Sequence, residues 1–112
     1  MSDKTQEELA ERVRQALRIV IDPELGENVV DLGLIYRVAV REGGLAHVEM
    51  TTTTPGCPAA FYLRDAVVSA AGIVEGIERV HVDLAYDPPW TPEMMSSNAS
   101  AHLRFARKAS GR

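Results

Sequence analysis

The alternating stretch from residue 35 to residue 53 constrains the fold more than any other part of the sequence. Apolar side chains occupy every second position between Ile35 and Arg41, and the alternation returns between Leu45 and Thr53. The intervening Glu42-Gly43-Gly44 is typical of a tight hairpin connection. Because successive strand side chains point to opposite faces, one face of this hairpin is predicted to be covered and the other at least partly wet.

Helical periodicity flanks the hairpin on both sides. A capping-box spacing, Thr5 followed by Glu8, opens a predicted helix from about Thr5 to Val20, and a second follows from about Pro58 to Gly72. The remaining predicted elements are a short strand at Val29-Val30, a strand over 80–86 and a C-terminal helix from Ser97 to Lys108.

This order of elements predicts an α/β (α+β) fold. We expect a small two-layer sandwich in which two main helices cover one face of a three- to four-stranded mixed sheet. The length of 112 residues fits a single domain. We place that domain at residues 1–97 and interpret 98–112 as a helical or flexible basic tail.

Composition excludes several classes of function. The net charge of −4 argues against nucleic acid as a partner. The sequence has no apolar run near the roughly 20 residues that span a bilayer, so no membrane partner is expected. A single cysteine permits no intramolecular disulfide, which fits a cytoplasmic location.

Cys57 is the only thiol, and it lies where the second hairpin strand gives way to the second helix. Pro58 suits the first helical position, so we expect Cys57 at the N-cap, under the positive end of the helix dipole. That field favours the thiolate, the form that attacks electrophiles and binds metals. One thiolate can act as a nucleophile or as a single metal ligand. The alternative interpretation is a buried structural cysteine.

Three acidic residues, Asp22, Glu24 and Asp31, follow the first helix. The functional interpretation brings their carboxylates near Cys57 as metal ligands or acid–base groups. The alternative is turn chemistry, since an aspartate before a proline favours a turn and Glu24 is then simply solvated.

The histidines carry weaker signals. His47 and His81 fall on the strand face opposite the apolar positions, where a lone histidine is more often a surface residue, and His102 lies in the tail. None has the spacing of a structural zinc site. A Cys–His enzyme would need His47 or His81 within hydrogen-bond reach of the sulfur.

Trp90 is the only tryptophan and lies in a proline-rich loop, with Met94 shortly after it. One interpretation is a hydrophobic plug that closes the sheet edge. The other is a partner-binding anchor formed by Trp90 and Met94, because tryptophan is enriched in binding hot spots.

Four motifs occur in order along the chain: Asp22-Pro23-Glu24, Val29 to Ile35, Met50 to Pro58, and Asp87-Pro88-Pro89-Trp90. Their order and spacing resemble the SufT/PaaD-like family of iron–sulfur cluster assembly proteins, from about Glu7 to Ser97. Thr52 stands where that family often has an apolar residue.

The resemblance implies a small α/β domain that helps to deliver or mature iron–sulfur clusters. It implies that Cys57 is the reactive residue and that Asp22, Glu24 and Asp31 match the acidic positions of the family. No cysteine follows Trp90, which points to the stand-alone SufT-like branch and not to PaaD with its cysteine-bearing extension.

Three functions are compatible with these residues. The first is a non-enzymatic assembly or carrier factor. Since a cluster needs about four ligands, a labile cluster or iron held by one thiolate must be shared with a second copy in a homodimer, a small thiol or a client apo-protein. The second is an adaptor that joins assembly machinery to clients through the Trp90 loop and the exposed sheet face. The third is a cysteine-nucleophile enzyme.

Overall fold

The computed structural model describes residues 3–101 and 103. The elements in chain order are α1 (Asp3–Ala16), a 3-10 helix (Leu17–Ile19), β1 (Ile35–Arg41), β2 (Leu45–Met50), α2 (Ala60–Gly72), β3 (Arg79–Leu84) and a second 3-10 helix (Pro92–Met94). Residues 97–101 and 103 are also helical.

The sheet has the strand order β1-β2-β3. β1 and β2 pair antiparallel, and the parallel partners β2 and β3 are connected through α2. The hairpin turn uses Gly43 and Gly44 with φ of 82° and 77°, values that favour glycine. The Gly44 carbonyl also accepts hydrogen bonds from the Glu78 and Arg79 amides at 2.8 and 3.2 Å, which ties the hairpin to the start of β3.

A single apolar cluster joins the helices to the sheet. Its fully buried members include Val13, Leu17, Ala46, Val48, Met50, Leu63 and Val67 from α1, the 3-10 turn, β2 and α2, and Val29, Leu32 and Leu34 from the loop before β1. Both helices contribute to this one cluster, so they lie on the same face of the sheet. Removal of this apolar surface from water is the main force that holds the two layers together. The predicted two-layer α/β sandwich is confirmed.

The predicted strand at Val29-Val30 is wrong. These residues lie in a turn, in which the Leu32 amide donates to the Asn28 carbonyl and the Gly33 amide donates to the Val30 carbonyl, both at 3.0 Å. Val29 is nevertheless fully buried in the apolar cluster. Its apolar character therefore reports packing and not strand pairing, and the sheet of the described chain has three strands.

The ends of several elements differ from the prediction. α1 begins at Asp3, two residues before the capping box, and ends at Ala16 with a 3-10 turn in place of further α-helix. β2 ends at Met50 and β3 at Leu84, both earlier than predicted. Beyond Met50 the Thr51 and Thr52 hydroxyls bond neighbouring carbonyls, and such local bonds compete with a sheet ladder.

Tyr36 does not follow the predicted alternation. The pairing register shifts between Ile35 and Arg37, so Ile35 pairs with Met50 and is buried, while Tyr36 is the extra residue of a bulge. The Tyr36 hydroxyl instead donates to the Pro88 carbonyl at 2.7 Å. A bulge changes the direction of one side chain, and here it links the hairpin to the Trp90 loop.

The beginning of the predicted tail packs on the domain. Ala99 is fully buried and Leu103 packs against the apolar cluster. The remainder of the predicted Ser97 to Lys108 helix, residues 102 and 104–108, lies outside the described residues. None of the described helices has the length and apolar character required to cross a membrane.

Candidate functional site

Cys57 lies in the turn between β2 and α2 as a free cysteine. Its carbonyl accepts the amide of Ala60 at 3.0 Å, but the N-cap of α2 is Ala59 and not Cys57 as predicted. The side chain is 7% exposed, so the thiol is less reachable than the sequence led us to expect. The shift of the N-cap follows from the helix starting at Ala60, which leaves Cys57 inside the preceding turn.

Cys57 is buried although its neighbours along the chain are exposed. Residues 54–56 and Pro58 around it are exposed, and Cys57 does not belong to the apolar cluster between the layers. Gly56 has a φ of 74°, and a side chain there would meet nothing within 4 Å. Cys57 is therefore a buried residue that lies outside the apolar cluster, in a turn whose neighbouring residues are exposed.

Glu24 is the acidic residue that the structure brings to this turn. Its Oε1 accepts a hydrogen bond from the Thr53 hydroxyl at 2.9 Å.

Thr52, the departure from the family pattern, is 2% exposed, and its hydroxyl lies 2.6 Å from the Thr54 carbonyl and 3.1 Å from the Tyr86 hydroxyl. Hydrogen bonds thus satisfy a polar side chain at a buried position.

Asp22 and Asp31 are engaged in turn chemistry. Asp22 is 1% exposed and its Oδ2 accepts the Leu25 amide at 2.9 Å. Asp31 accepts Arg18 at 2.9 Å and the Asn28 side-chain amide at 3.0 Å. Among residues 3–101 and 103, no group of three or more potential metal ligands includes Cys57, Asp22, Glu24 or Asp31.

Trp90 covers one side of the apolar cluster. Its Nε1 donates to the Leu32 carbonyl at 2.7 Å, and the half-buried ring packs against the apolar cluster. Met94 packs against Gly33. The φ of Gly33 is 79°, and a Cβ at this position would clash with the Met94 carbonyl. These contacts match the plug interpretation of Trp90; a partner-binding role for Trp90 and Met94 stays a prediction.

Sequence reasoning missed two exposed aromatic residues that follow Cys57 in the chain, at the start of α2. Phe61 and Tyr62 in the first turn of α2 are 64% and 61% exposed, and the Arg64 guanidinium lies 5.1 Å from the Phe61 ring centre. The signal was present, because the buried stripe of Ala60, Leu63, Val67 and Ala70 leaves positions 61 and 62 facing solvent.

A cluster of ionisable side chains lies on the uncovered face of the sheet. Asp83 Oδ2 accepts His47 Nε2 at 2.8 Å and Asp83 Oδ1 accepts His81 Nε2 at 3.0 Å. The pKa of the Asp83 carboxyl lies below its ordinary value, and the hydrogen bond from His47 is the largest cause. Burial raises this pKa, whereas the charge and the hydrogen bond of His81 lower it further. The histidines were predicted as isolated surface residues, because the pairing of β2 with β3 could not be read from the sequence.

Comparison with known proteins identifies similar chains. A family model described as "Iron-sulfur cluster assembly protein" matches residues 10–104. An "Fe-S protein maturation auxiliary factor" of Porphyromonas gingivalis is 43% identical over 95 residues, which covers 85% of this chain and 90% of that protein. The "Fe-S protein maturation auxiliary factor SufT" of Staphylococcus aureus is 41% identical over 85 residues, 76% of this chain and 97% of that protein.

A solved structure has the same fold. The crystal structure of a domain of unknown function from Bacillus anthracis superposes with a TM-score of 0.89 at 35% sequence identity. The match covers 92% of this chain and 98% of that one. The arrangement of α1, α2 and the three strands is therefore shared over nearly the whole of both chains.

Proposed function

The chain belongs to the iron–sulfur cluster assembly protein family, and we propose that it is a maturation factor in which Cys57 takes part in delivering iron or a labile cluster to client apo-proteins. The observation that carries the proposal is the placement of the only thiol in a surface turn at the start of α2. A ligand group in such a turn can be presented to another protein without disturbing the core.

Shared ligation follows from the number of thiols. A cluster needs about four ligands of thiolate type, and each chain supplies one cysteine. The other ligands must come from a second copy of the chain, a small thiol or the client. A site completed by exchangeable ligands releases its cargo readily, which suits transfer better than electron transport.

The burial of Cys57 suits a protein that exposes its thiol only when needed. The neighbouring residues 54–56 and Pro58 are exposed and lie outside the apolar cluster. Local opening of such a turn costs much less free energy than global unfolding. The Glu24 contact to Thr53 holds the same turn and is the polar link that would break as the turn moves.

Anaerobic reconstitution with ferrous iron and sulfide tests the role of the thiol. Wild type, Cys57→Ser and the matched control Thr54→Ala, an exposed residue of the same turn, are compared by visible absorbance, by iron and sulfide content and by native mass. We expect wild type and Thr54→Ala to hold a cluster with more than one chain or an added thiol as co-ligand. Cys57→Ser is expected to hold none. Equal cluster content in Cys57→Ser would refute the role of the thiol.

A second function, docking of a client or an assembly protein beside Cys57, is favoured by one observation. Phe61 and Tyr62 present large aromatic surfaces to solvent within the first turn of α2. Exposed aromatic groups of this kind dominate many protein interfaces. An adaptor role and a delivery role can share this surface, since a docked client would lie next to the thiol.

The cysteine-nucleophile enzyme has less support. That chemistry requires a base within hydrogen-bond reach of the sulfur. Within the described part of the chain, His47 and His81 both direct Nε2 to Asp83, and neither bonds Cys57. The arrangement therefore favours a non-enzymatic factor.

A further inference from the structure

We propose that the open face of the sheet carries a binding site for one divalent first-row transition-metal ion, held by His47, His81 and Asp83. This inference goes beyond the proposed maturation function, because it uses no residue of the Cys57 turn. Among the described residues, His47, His81 and Asp83 form the group of at least three histidine, cysteine or acidic side chains that lie close enough together to bind one metal ion.

The sheet itself places the three residues together. His47 of β2 and His81 of β3 are direct partners in the parallel register. Asp83 lies two positions further along β3 and therefore on the same face as His81. Paired strands lie about 4.8 Å apart and are held by backbone hydrogen bonds, so the three Cα positions are fixed before any ligand arrives.

The side chains converge on one point above the sheet. One ligand atom of each residue lies within 4.8 Å of the other two. A tetrahedral ion with metal–nitrogen bonds of about 2.1 Å separates its ligand atoms by about 3.4 Å. The hydrogen-bonded separations of 2.8 and 3.0 Å between the imidazoles and Asp83 need to open only slightly to admit such an ion. Small side-chain rotations supply this change without movement of the strands.

The donor set selects the class of ion. Two imidazoles and one carboxylate suit Zn²⁺ with a water as fourth ligand, and also Fe²⁺ with open positions. Mg²⁺ and Ca²⁺ prefer sites made of oxygen ligands and are expected to bind poorly. The open coordination positions face solvent, since His81 and Asp83 are exposed.

Neighbouring charges act in opposite directions. Glu49 is the register partner of Asp83 on the same face and adds a favourable negative charge. Arg79, two residues before His81 on this face, adds a positive charge beside its partner Leu45. Binding therefore depends on the three ligand side chains and not on a strongly negative surface.

The hydrogen bonds of the cluster do not compete strongly with metal. In the absence of an ion each Nε2–H donates to Asp83. A neutral imidazole can move its proton to Nδ1 and offer the Nε2 lone pair to a metal. The carboxylate that accepted both hydrogen bonds then becomes the third ligand.

Titration of the metal-free full chain with Zn²⁺, followed by calorimetry, and with Co²⁺, followed by its visible absorption, tests the site. We expect one ion per chain and at least tenfold weaker binding in His47→Ala, His81→Ala and Asp83→Asn. His102→Ala is the control and should bind like wild type, and Cys57→Ser distinguishes this site from metal held by the thiol. Mg²⁺ should produce no heat of binding at the same concentrations.

Two results would overturn the proposal. One is unchanged Zn²⁺ affinity in the His47→Ala, His81→Ala, Asp83→Asn triple variant. The other is loss of binding in Cys57→Ser, which would assign the metal to the thiol. Circular dichroism of each variant checks the fold, and His81→Asn provides a milder change at an exposed position. Cluster reconstitution is read separately, so failure of this site leaves the test of Cys57 intact.

Discussion

The two faces of the sheet carry different kinds of side chain on the same strands. On the covered face, Ala46, Val48 and Met50 of β2 are fully buried among the helices. On the open face, His47 bonds a carboxylate next to solvent. On the covered face, apolar packing determines stability. On the open face, the strands fix the positions of the side chains, which are not packed in the core and can bind a ligand.

The difference shows how a small chain separates folding from binding. Each strand residue contributes to one face only, because the side chains alternate. A substitution on the open face can therefore change binding with little effect on folding, and the reverse holds on the covered face. Matched substitutions on the two faces, and at the loops that join them, test this separation.

The largest effect is expected from Leu63→Ala on the inner side of α2. Leu63 is fully buried, and truncation of a buried leucine leaves a cavity that costs about 3 kcal/mol of the free energy of unfolding. Val68→Ala on the outer side of the same helix, where Val68 is 38% exposed, should cost less than about 1 kcal/mol. Urea unfolding measures both, and equal losses would contradict the assignment of the covered face.

Periodicity was sufficient to predict the covered face. The two layers were predicted from the alternation in β1 and β2 and from the apolar stripe through Leu63 and Val67. These patterns indicate which side chains are buried away from water. The false strand at Val29-Val30 had the same apolar signal, but there buried side chains extend from a turn. Burial alone does not distinguish a strand from a packed loop.

Trp90→Phe is expected to have the next largest effect. The change keeps an aromatic ring but removes the hydrogen bond from Nε1 of the half-buried indole to the carbonyl of the fully buried Leu32, at a cost of about 1.5 kcal/mol. Tyr36→Phe removes a similar bond to the Pro88 carbonyl at an exposed site and should cost about 0.5 kcal/mol. Thermal and urea unfolding compare the two; a larger loss for Tyr36→Phe would refute the plug role of Trp90.

The candidate site was predictable only in part. Cys57 was found because it is the one thiol beside a motif of prolines and glycine. Its burial and the contact of Glu24 with Thr53 depend on the path of two loops, which no local pattern specifies. The His47 and Asp83 contact depends on a parallel register set by α2, and pairing across a long connection leaves no signal in either strand alone.

Phe61→Ala is expected to leave stability nearly unchanged and to weaken docking. Phe61 is 64% exposed, so the free energy of unfolding should change by less than about 0.5 kcal/mol. If this ring is a docking anchor, transfer of a reconstituted cluster to an apo-ferredoxin should slow by about tenfold. Ile73→Ala, 77% exposed just beyond the other end of α2, is the matched control and should transfer normally. Equal transfer by both variants would remove Phe61 from the docking surface.

The smallest effect on folding is expected from His47→Ala, which also tests whether the two faces act independently. Its imidazole bonds a carboxylate that is 52% exposed, and such solvent-screened pairs contribute little, so we expect little change in the free energy of unfolding by urea. Because Cys57 belongs to the turn between β2 and α2 and not to the histidine cluster, cluster absorbance and sulfide content after reconstitution should equal those of wild type. Loss of both Zn²⁺ binding and cluster content in this one variant would mean that the faces are coupled. Retention of cluster content with loss of Zn²⁺ binding would establish two separate metal-binding regions on one small domain.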